Sequence, residues 1–272
     1  MSLQLSEIHI YPIKSLGSIR LSETVLTERG LTHDRRWMLI DKQGFLTQRE
    51  IPKMALLKVS LQANYLEVRS PNMALPLSIP LTIQSDAPTK PVPIWDDTTT
   101  AQPVSEEADK WFSKALDHPC SLVYMPDFSE RTKVGKTSGK AQLVNFADSY
   151  PALLIGQASL DDLNTRLAEP VPMSRFRPNL VFTGGDAYEE DQWHGFRVGN
   201  ALCWAEKSCV RCIIITINQE TAEQGKEPLA TLAKHRKQQN KVLFGQGIFL
   251  EAEKTIRIGD AIQVKTRKPN IS

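Results

Sequence analysis

The sequence predicts a mainly β protein with a few helices, an α+β fold. From Leu3 to Leu81, apolar side chains recur in short runs with a period of two, as at Leu57, Val59 and Leu61, which is the spacing of strands with one buried face. Seventeen prolines, many of them between Pro71 and Pro103, restrict the backbone and remove hydrogen-bond donors. This region is therefore predicted to form edge strands and turns around a barrel or sandwich.

Three helices are predicted. The first covers about Val104–Leu116, with the serine at its second position as N-cap. The second begins at Ser159, because Asp162 three residues later makes a capping-box-like start. The third opens with Pro228 as a first-turn residue, and its basic run Lys234–Lys237 either faces solvent or docks an acidic partner.

Further strands follow the first helix. Apolar runs at Ala152–Ile155 and Asn179–Thr183 flank the second helix and indicate a strand–helix–strand unit. The residues Ile213–Ile217 are all β-branched, which predicts a strand buried on both faces. Ile256–Val264 closes the sheet, whereas the polar stretch Pro126–Gln142 is predicted to be a mobile loop over the active site.

Length and charge limit the class of protein. The chain has 272 residues, enough for one large or two ordinary domains. Lys and Arg number 33 and Asp and Glu number 31, a net charge of +2, so the total charge indicates no nucleic-acid partner. No basic segment followed by an apolar one opens the sequence, and no apolar window approaches about 18 residues. We therefore expect a soluble, cytoplasmic protein without a membrane segment.

Cysteine usage points to a reducing compartment and to one region of the chain. The cysteines are Cys120, Cys203, Cys209 and Cys212, and three of them lie within ten residues. This is not the dispersed pattern of a disulfide-stapled secreted domain. The last two flank Arg211 immediately before the predicted strand, at a position from which a side chain reaches a pocket.

The clustered thiols allow several interpretations. Their spacing is one residue away from that of plant-type iron–sulfur ligands, but no fourth cysteine follows. A zinc site needs a second ligand pair, and a thioredoxin-type pair usually begins a helix. Cys203 lies in an alternating apolar run and is predicted to be buried and unreactive. For Cys212, the neighbouring Arg211 favours a thiolate, which is both a nucleophile and a soft metal ligand. Three other interpretations of Cys212 stay open, namely a packed thiol, half of a zinc site and one member of a redox pair.

Basic and polar residues lie next to several predicted strand ends. Lys14 and Ser15 follow the first strand, Arg35 precedes the next long one, and Arg177 precedes Asn179–Thr183. Each alone is an ordinary surface residue. Together, cations at strand ends near a thiol predict a pocket for a polyanion, such as a phosphorylated cofactor.

Six blocks in a fixed order resemble the MOSC proteins that carry an N-terminal β-barrel domain. This family includes the mitochondrial amidoxime-reducing component and its bacterial counterparts, and the similarity covers about Ile8 to Val264. The blocks are Tyr11–Ser15, Asp34–Trp37, Phe176–Asn179, Cys209–Cys212, Lys226–Leu229 and Leu243–Gln246. The resemblance implies an N-terminal MOSC β-barrel domain over residues 1–120 and a MOSC β-barrel domain that binds the molybdenum cofactor over residues 121–272.

The resemblance also implies the roles of individual residues. Cys212 would be the catalytic thiolate ligand of molybdenum, and Cys209 is not expected to bind metal. Tyr150 stands where relatives have a smaller hydroxyl residue. The residues expected to bind the cofactor, first its phosphate and then its pterin, are Lys14, Ser15 and Arg35, followed by Asp148, Ser149, Arg177 and Asn179.

The family implies reduction of N-hydroxylated compounds, namely amidoximes, hydroxylamines and N-hydroxylated bases, as a detoxifying oxidoreductase. Because the sequence lacks the cysteines of a plant-type ferredoxin domain, electrons are expected from a separate ferredoxin- or flavin-type redox protein. The alternative is a molybdenum cofactor or sulfur carrier module without reductase activity. The MOSC name itself comes from the C-terminal domain of molybdenum cofactor sulfurases.

Overall fold

Strands dominate the computed structural model, which describes residues 2–83 and 88–268. The strands of the first half are β1 Gln4–Ile10, β2 Ile19–Leu21, β3 Glu23–Thr27, β4 Gly30–Leu31, β5 Trp37–Ile40, β6 Lys58–Leu61, β7 Tyr65–Arg69, β8 Leu77–Pro80, β9 Lys90–Ile94, β10 Asp97–Pro103 and β11 Ser121–Tyr124. The later strands are β12 Thr132–Val134, β13 Ala141–Leu143, β14 Ala152–Gly156, β15 Leu180–Thr183, β16 Trp193–Val198, β17 Ala201–Val210, β18 Lys237–Gln238, β19 Lys241–Leu250, β20 Lys254–Arg257 and β21 Ile262–Arg267. The helices are α1 Glu106–Leu116, α2 Gln157–Asn164 and α3 Leu229–His235, with 3-10 helices at Pro52–Leu56, Met173–Arg175, Glu189–Gln192 and Ile213–Thr216.

The largest sheet combines strands from both halves of the chain. Its order is β2-β1-β15-β14-β19-β17-β16-β21, with β18 paired to β19. Strand β1 runs antiparallel to β15, which is parallel to β14. Apolar side chains including Leu5, Ile8, Phe182, Trp193 and Phe196 are fully buried against one face. The N-terminal segment is therefore anchored in the sheet that carries the C-terminal residues.

A second core belongs to the first half of the chain. The sheets β5-β11-β10-β9 and β6-β7-β8 contribute to it together with α1, whose Phe112 is fully buried. The prediction for α1 is confirmed, because the Ala108 amide donates to the Ser105 hydroxyl at 3.1 Å. The proline-rich strands β8 and β9 lie at sheet edges, also as predicted.

The mainly β fold class predicted from the sequence is confirmed. Helix α3 begins at Leu229, directly after the predicted first-turn Pro228, and Ile256–Val264 contributes to β20 and β21. In the part of the chain that the structure describes, no helix combines the length and apolarity required to cross a membrane.

The strand predicted at Ile213–Ile217 is wrong. The chain after β17 makes its last backbone hydrogen bond to β19 at Arg211, whose amide donates to the Val242 carbonyl at 2.8 Å. Cys212 is then the N-cap of the 3-10 helix Ile213–Thr216, in which the Thr216 hydroxyl donates to the Ile213 carbonyl at 2.7 Å. Local hydrogen bonding by threonine competes with the strand. As a result, Cys212 lies at a turn and not at the entrance of a buried strand.

The mobile loop predicted at Pro126–Gln142 is also wrong. Strands β12 and β13 pair within this stretch to form a hairpin. The tip of the hairpin is bound to the buried Glu206, whose carboxylate accepts from the Thr137 amide at 2.9 Å and from the Ser138 amide at 3.2 Å. These charge-assisted bonds hold the hairpin against β17.

Helix α2 begins two residues before the predicted N-cap. Gly156 is the N-cap, and Ser159 lies inside the helix, where its hydroxyl donates to the carboxylate of Glu190 at 2.9 Å. Glu190 is fully buried and also accepts from the Gly156 amide at 3.1 Å. The tertiary partner of Ser159 therefore replaces the local capping role that the sequence suggested. Burial raises the pKa of Glu190 from 4.5 to about 7.

This pKa predicts a pH dependence of stability. Because the folded state keeps the proton of Glu190 up to a higher pH than the unfolded state, its contribution is most favourable below about pH 4.5 and is lost as the pH rises through about 7. In the wild type, titration of Glu190 should lower the unfolding free energy by up to about 3 kcal/mol over this range. We expect Glu190→Gln to lack this fall. Urea denaturation from pH 5 to 8 measures it. The exposed Glu130→Gln is the control, and identical pH slopes for wild type and Glu190→Gln would contradict the assignment.

Candidate active site

Three turns from distant parts of the sequence meet at the candidate site. One follows β1, one precedes β5 and one precedes β15. The first two are bonded directly, from the Lys14 amide to the Trp37 carbonyl at 2.8 Å and from the Arg35 amide to the Tyr11 carbonyl at 2.9 Å. The third is bonded through β1, whose His9 amide donates to the Asn179 carbonyl at 2.7 Å. The predicted convergence of Lys14, Arg35 and Arg177 at neighbouring strand ends is thus found in the structure.

Three predicted site residues occupy the left-handed backbone region. The φ angles are 69° at Ser15, 49° at Arg35 and 55° at Arg177. Non-glycine residues in this region cost about 1–3 kcal/mol each and persist only where the surrounding structure holds them. Such strain clusters at functional sites, which supports a functional role for these turns.

Two guanidinium groups lie close to the ring of Tyr11. The Cζ atom of Arg35 lies 4.4 Å from the ring centroid and that of Arg177 lies 4.3 Å from it, both within cation–π range. The phenol donates to the Pro178 carbonyl at 3.0 Å, and burial raises the pKa of Tyr11 to about 12. Burial lowers the pKa of Arg177 to about 10. At neutral pH Arg177 is therefore charged beside a neutral phenol.

Arg35 is held by a buried carboxylate and an amide. Its Nη1 donates to Asp34 at 2.5 Å and to the Asn179 side-chain oxygen at 2.8 Å. Burial raises the pKa of Asp34, and the charge of Arg35 opposes this shift. The Asn179 amide also donates to the His9 carbonyl at 3.0 Å. Asn179 is thus engaged within the protein, where it orients Arg35.

Lys14 and Asp148 form an ion pair at the edge of the site. The buried ammonium of Lys14 also donates to the Phe146 carbonyl at 2.8 Å, whereas the carboxylate of Asp148 is about half exposed. Burial lowers the pKa of Lys14, against the effect of Asp148. Close packing acts to raise the pKa of Asp148, but the charge and hydrogen bond of Lys14 outweigh it and hold that pKa well below its usual range. Ser149 is exposed beside this pair.

Cys212 is partly buried and is contacted by an arginine that the sequence did not suggest. Arg49, which follows β5, donates from Nη2 to the Cys212 sulfur at 3.3 Å. The neighbouring Arg211 instead donates to the Cys209 sulfur at 3.4 Å and to the Phe176 carbonyl at 2.8 Å. The sequence suggested that Arg211 is the cation that acts on the Cys212 thiol, and the structure gives this contact to Arg49 instead. The turn after β17 directs the side chains of Arg211 and Cys212 to different partners.

Trp95 connects the thiol to the Lys14–Asp148 pair. Its ring lies 4.6 Å from the Cζ atom of Arg49, and its indole N–H donates to Asp148 at 2.9 Å. The side chain is 42% exposed, and the residue has a left-handed φ of 54°, which is a marked outlier for a bulky residue. These partners hold an exposed aromatic ring beside the thiol.

Two glutamine side chains form hydrogen bonds with the turns and with each other. Gln48 donates to the Ser15 carbonyl at 2.7 Å, and Gln219 donates to the Gln48 side-chain oxygen at 2.9 Å. Arg177 reaches Gln219 at 3.4 Å and the Leu16 carbonyl at 2.7 Å. Sequence reasoning assigned no site role to Tyr11, Gln48, Arg49, Trp95 and Gln219. The Lys-Ser turn next to Tyr11 was a sequence signal for that residue. The other four residues carry no such signal, because only the tertiary fold brings them to the site.

The remaining thiols and Tyr150 lie away from these contacts. Cys203 is buried, as predicted, and burial raises its pKa. Burial also raises the pKa of Cys120 to about 11. The ring of Tyr150 packs on Phe249, with centroids 5.4 Å apart.

The donor set fits a cofactor that carries most of its own metal ligands. Within residues 2–83 and 88–268, no three His, Cys, Asp or Glu side chains converge to hold a metal. Cys212 would therefore supply one soft ligand and the cofactor the rest. In the same residues, the Nε atoms of Arg49 and Arg211 are buried without a hydrogen-bond partner. Such donors beside the thiol, with Lys14, Arg35 and Arg177, suit an anionic ligand.

Comparisons with known proteins identify the relatives of this chain. The family described as "MOSC N-terminal beta barrel domain" matches residues 2–119, and that described as "MOSC domain" matches residues 141–263. A mitochondrial amidoxime reducing component 2 from Rattus norvegicus is 32% identical over 280 aligned positions, which cover 94% of this chain and 82% of that protein. A molybdenum cofactor sulfurase from Solanum lycopersicum is 33% identical, covering 95% of this chain and 35% of the sulfurase. The chain spans about a third of that sulfurase, and it belongs to the MOSC family, joining an N-terminal MOSC β-barrel domain to a MOSC domain.

Proposed function

We propose that the protein is a molybdenum cofactor-dependent oxidoreductase that reduces N-hydroxylated compounds, namely amidoximes, hydroxylamines and N-hydroxylated bases, to the corresponding amines. The observation that carries this proposal is the partly buried thiol of Cys212, contacted by Arg49 at 3.3 Å, in a site with three further cations. The related amidoxime reducing components support the substrate class. Electrons would come from a separate redox protein of the ferredoxin or flavin type.

The residues around the thiol divide into two groups by the part of the cofactor that they would bind. Lys14, Ser15 and Arg35 would bind its phosphate, since the ammonium and guanidinium groups supply charge and donors. Asp148, Ser149, Arg177 and Asn179 would line the pterin, where the ionised Asp148 accepts hydrogen bonds. Cys212 would ligate molybdenum, because thiolate suits a metal held by other sulfurs.

The chain's own residues would bind and orient the reactants. When bound, the cofactor would supply two-electron redox chemistry that side chains lack. Arg49 would fix the orientation of the Cys212 sulfur through its hydrogen bond, and Asn179 would fix Arg35. The exposed ring of Trp95 packs on Arg49, the residue that contacts the thiol, and would limit how water and substrate approach this arginine.

A second candidate function is that of a cofactor or sulfur carrier module without reductase activity. The similarity to about a third of a molybdenum cofactor sulfurase favours it. The two functions differ in one assay, because a carrier would transfer cofactor to an apoenzyme but would reduce no N-hydroxylated compound. We propose a cytoplasmic location on the basis of the cysteines, all four of which are free thiols.

The ligand assignment predicts the effect of removing the thiol. Protein made in a cofactor-competent host should contain about one molybdenum atom per chain, and Cys212→Ser should lose this molybdenum or the turnover of benzamidoxime with a chemical reductant. Metal analysis and single-substrate kinetics measure the two effects. Cys209→Ser, three residues away and also partly exposed, should keep both. Full turnover by Cys212→Ser would show that the ligand assignment is wrong.

The contact between Arg49 and Cys212 predicts a second effect. We expect Arg49→Gln to lower turnover about 10–100-fold, because groups that orient a metal ligand have effects of this size. Arg49→Lys should recover only part of the activity, because an ammonium lacks the planar fork that also stacks on Trp95. Molybdenum content and turnover are measured together. Arg69→Gln on β7, an exposed arginine paired with Glu67, is the control, and wild-type turnover in Arg49→Gln would refute the role of Arg49.

A further inference from the structure

A groove lies beside the turn that carries Cys212. It has a volume of about 370 Å³ and lies between the end of β17 and the hairpin of β18 and β19. Its described lining includes no Asp or Glu side chain. Two lysines and neutral side chains line it, among them Lys207, Val210, Gln238, Gln239, Lys241 and Leu243.

The charge around the groove is positive and not neutralised. Lys237 opens β18 beside the groove, and Lys207 and Lys241 line it. Among the residues that the structure describes, none of these three ammonium groups forms an ion pair or a hydrogen bond. The carboxylate of Glu206, next to Lys207, is buried and bound to the tip of the β12–β13 hairpin. A negative partner could therefore approach without displacing an internal ion pair.

The basic run Lys234–Lys237 contributes to this surface. Arg236 turns inward, where it pairs with Asp191 and lies 4.1 Å from the centroid of the Tyr188 ring. Lys234 and Lys237 are exposed. Their exposure fits both alternatives that the sequence left open for this run, a solvated face and the docking of an acidic partner.

The lysines near the turn are presented by rigid backbone. Gln239 and Asn240 connect β18 to β19 with φ angles of 45° and 63°, the pattern of a tight two-residue hairpin turn. The paired strands fix the positions of Lys237 and Lys241, whose registered partners are Val242 and Gln238. The backbone positions from which these lysines project are thus fixed before any partner binds.

The groove is close to the thiol. Val210 lines it and precedes Cys212 by two residues, so their Cα atoms are at most about 7 Å apart. Val210 is 43% exposed, and Ile213, on the other side of the thiol, is 42% exposed. Exposed apolar side chains near lysines without internal ion pairs suit a transient, electrostatically steered interface.

We propose that this groove docks a small acidic electron-transfer protein that delivers electrons to the site of Cys212, an inference that rests on the proposed reductase function. For each N–O bond broken, the partner gives up two electrons in total and solvent supplies two protons. The products are the amine and water. Association would be weak and salt-sensitive, since exposed charges are screened over about 8 Å at physiological ionic strength.

The test uses cofactor-loaded full-length protein and the double variant Lys207→Glu/Lys241→Glu. The probe is a reduced plant-type [2Fe–2S] ferredoxin of strongly negative charge, and a flavodoxin is the second probe. We expect the wild type to bind at least one probe with an affinity that falls with added salt. In the double variant, binding and probe-driven turnover should fall at least about tenfold. Turnover of benzamidoxime with dithionite should not change.

Lys42→Glu/Lys114→Glu makes the same charge change at exposed lysines outside the groove and should bind the probes like wild type. Unchanged probe binding by Lys207→Glu/Lys241→Glu, or no binding of either probe by wild type, would overturn the docking proposal. Loss of dithionite-driven turnover in the double variant would overturn it too, because the lysines would then act on the site itself. A wild type that binds the probes but reduces no N-hydroxylated compound with dithionite would refute the proposed reductase function instead.

Discussion

The site depends on holding positive charges close together before any ligand arrives. The Cζ atoms of Arg35 and Arg177 both lie close to the ring of Tyr11, at 4.4 and 4.3 Å from its centroid. Like charges at this separation repel, and burial adds a desolvation cost. The carboxylate of Asp34 and the cation–π contacts with Tyr11 offset part of this cost, whereas the strained backbone of the turns adds to it. An anionic ligand would relieve part of this cost.

This constraint also explains why the two halves of the chain are interleaved. Strand β1 belongs to the large sheet, so the turn after it lies next to the turn that precedes β15. Arg49 and Trp95 come from the first half, and Cys212 comes from the second, yet they form one chain of contacts. Neither half alone contains the cations, the thiol and its hydrogen-bond donor. The orientation of the thiol is therefore a property of the whole fold.

The sequence predicted those features that depend on local chemistry or on a motif. Period-two alternation and edge prolines predicted the β fold, and strand ends predicted that Lys14, Arg35 and Arg177 meet. Arg49 could not be found in this way, because its contact with Cys212 spans 163 positions and has no local signature. The predictions were wrong where a side chain could form its hydrogen bond either locally or with a distant residue. Five β-branched residues predicted a strand, but a threonine hydroxyl stabilises a 3-10 turn there.

The central claim is that the sulfur of Cys212 faces a cation-lined site and becomes part of a metal centre there. Molybdenum X-ray absorption of the loaded protein tests this most directly, because it counts the sulfur atoms bound to the metal. The account predicts that wild type has one sulfur ligand more than the cofactor itself contributes, and that Cys212→Ser lacks this ligand. The same sulfur count in both proteins would contradict the account.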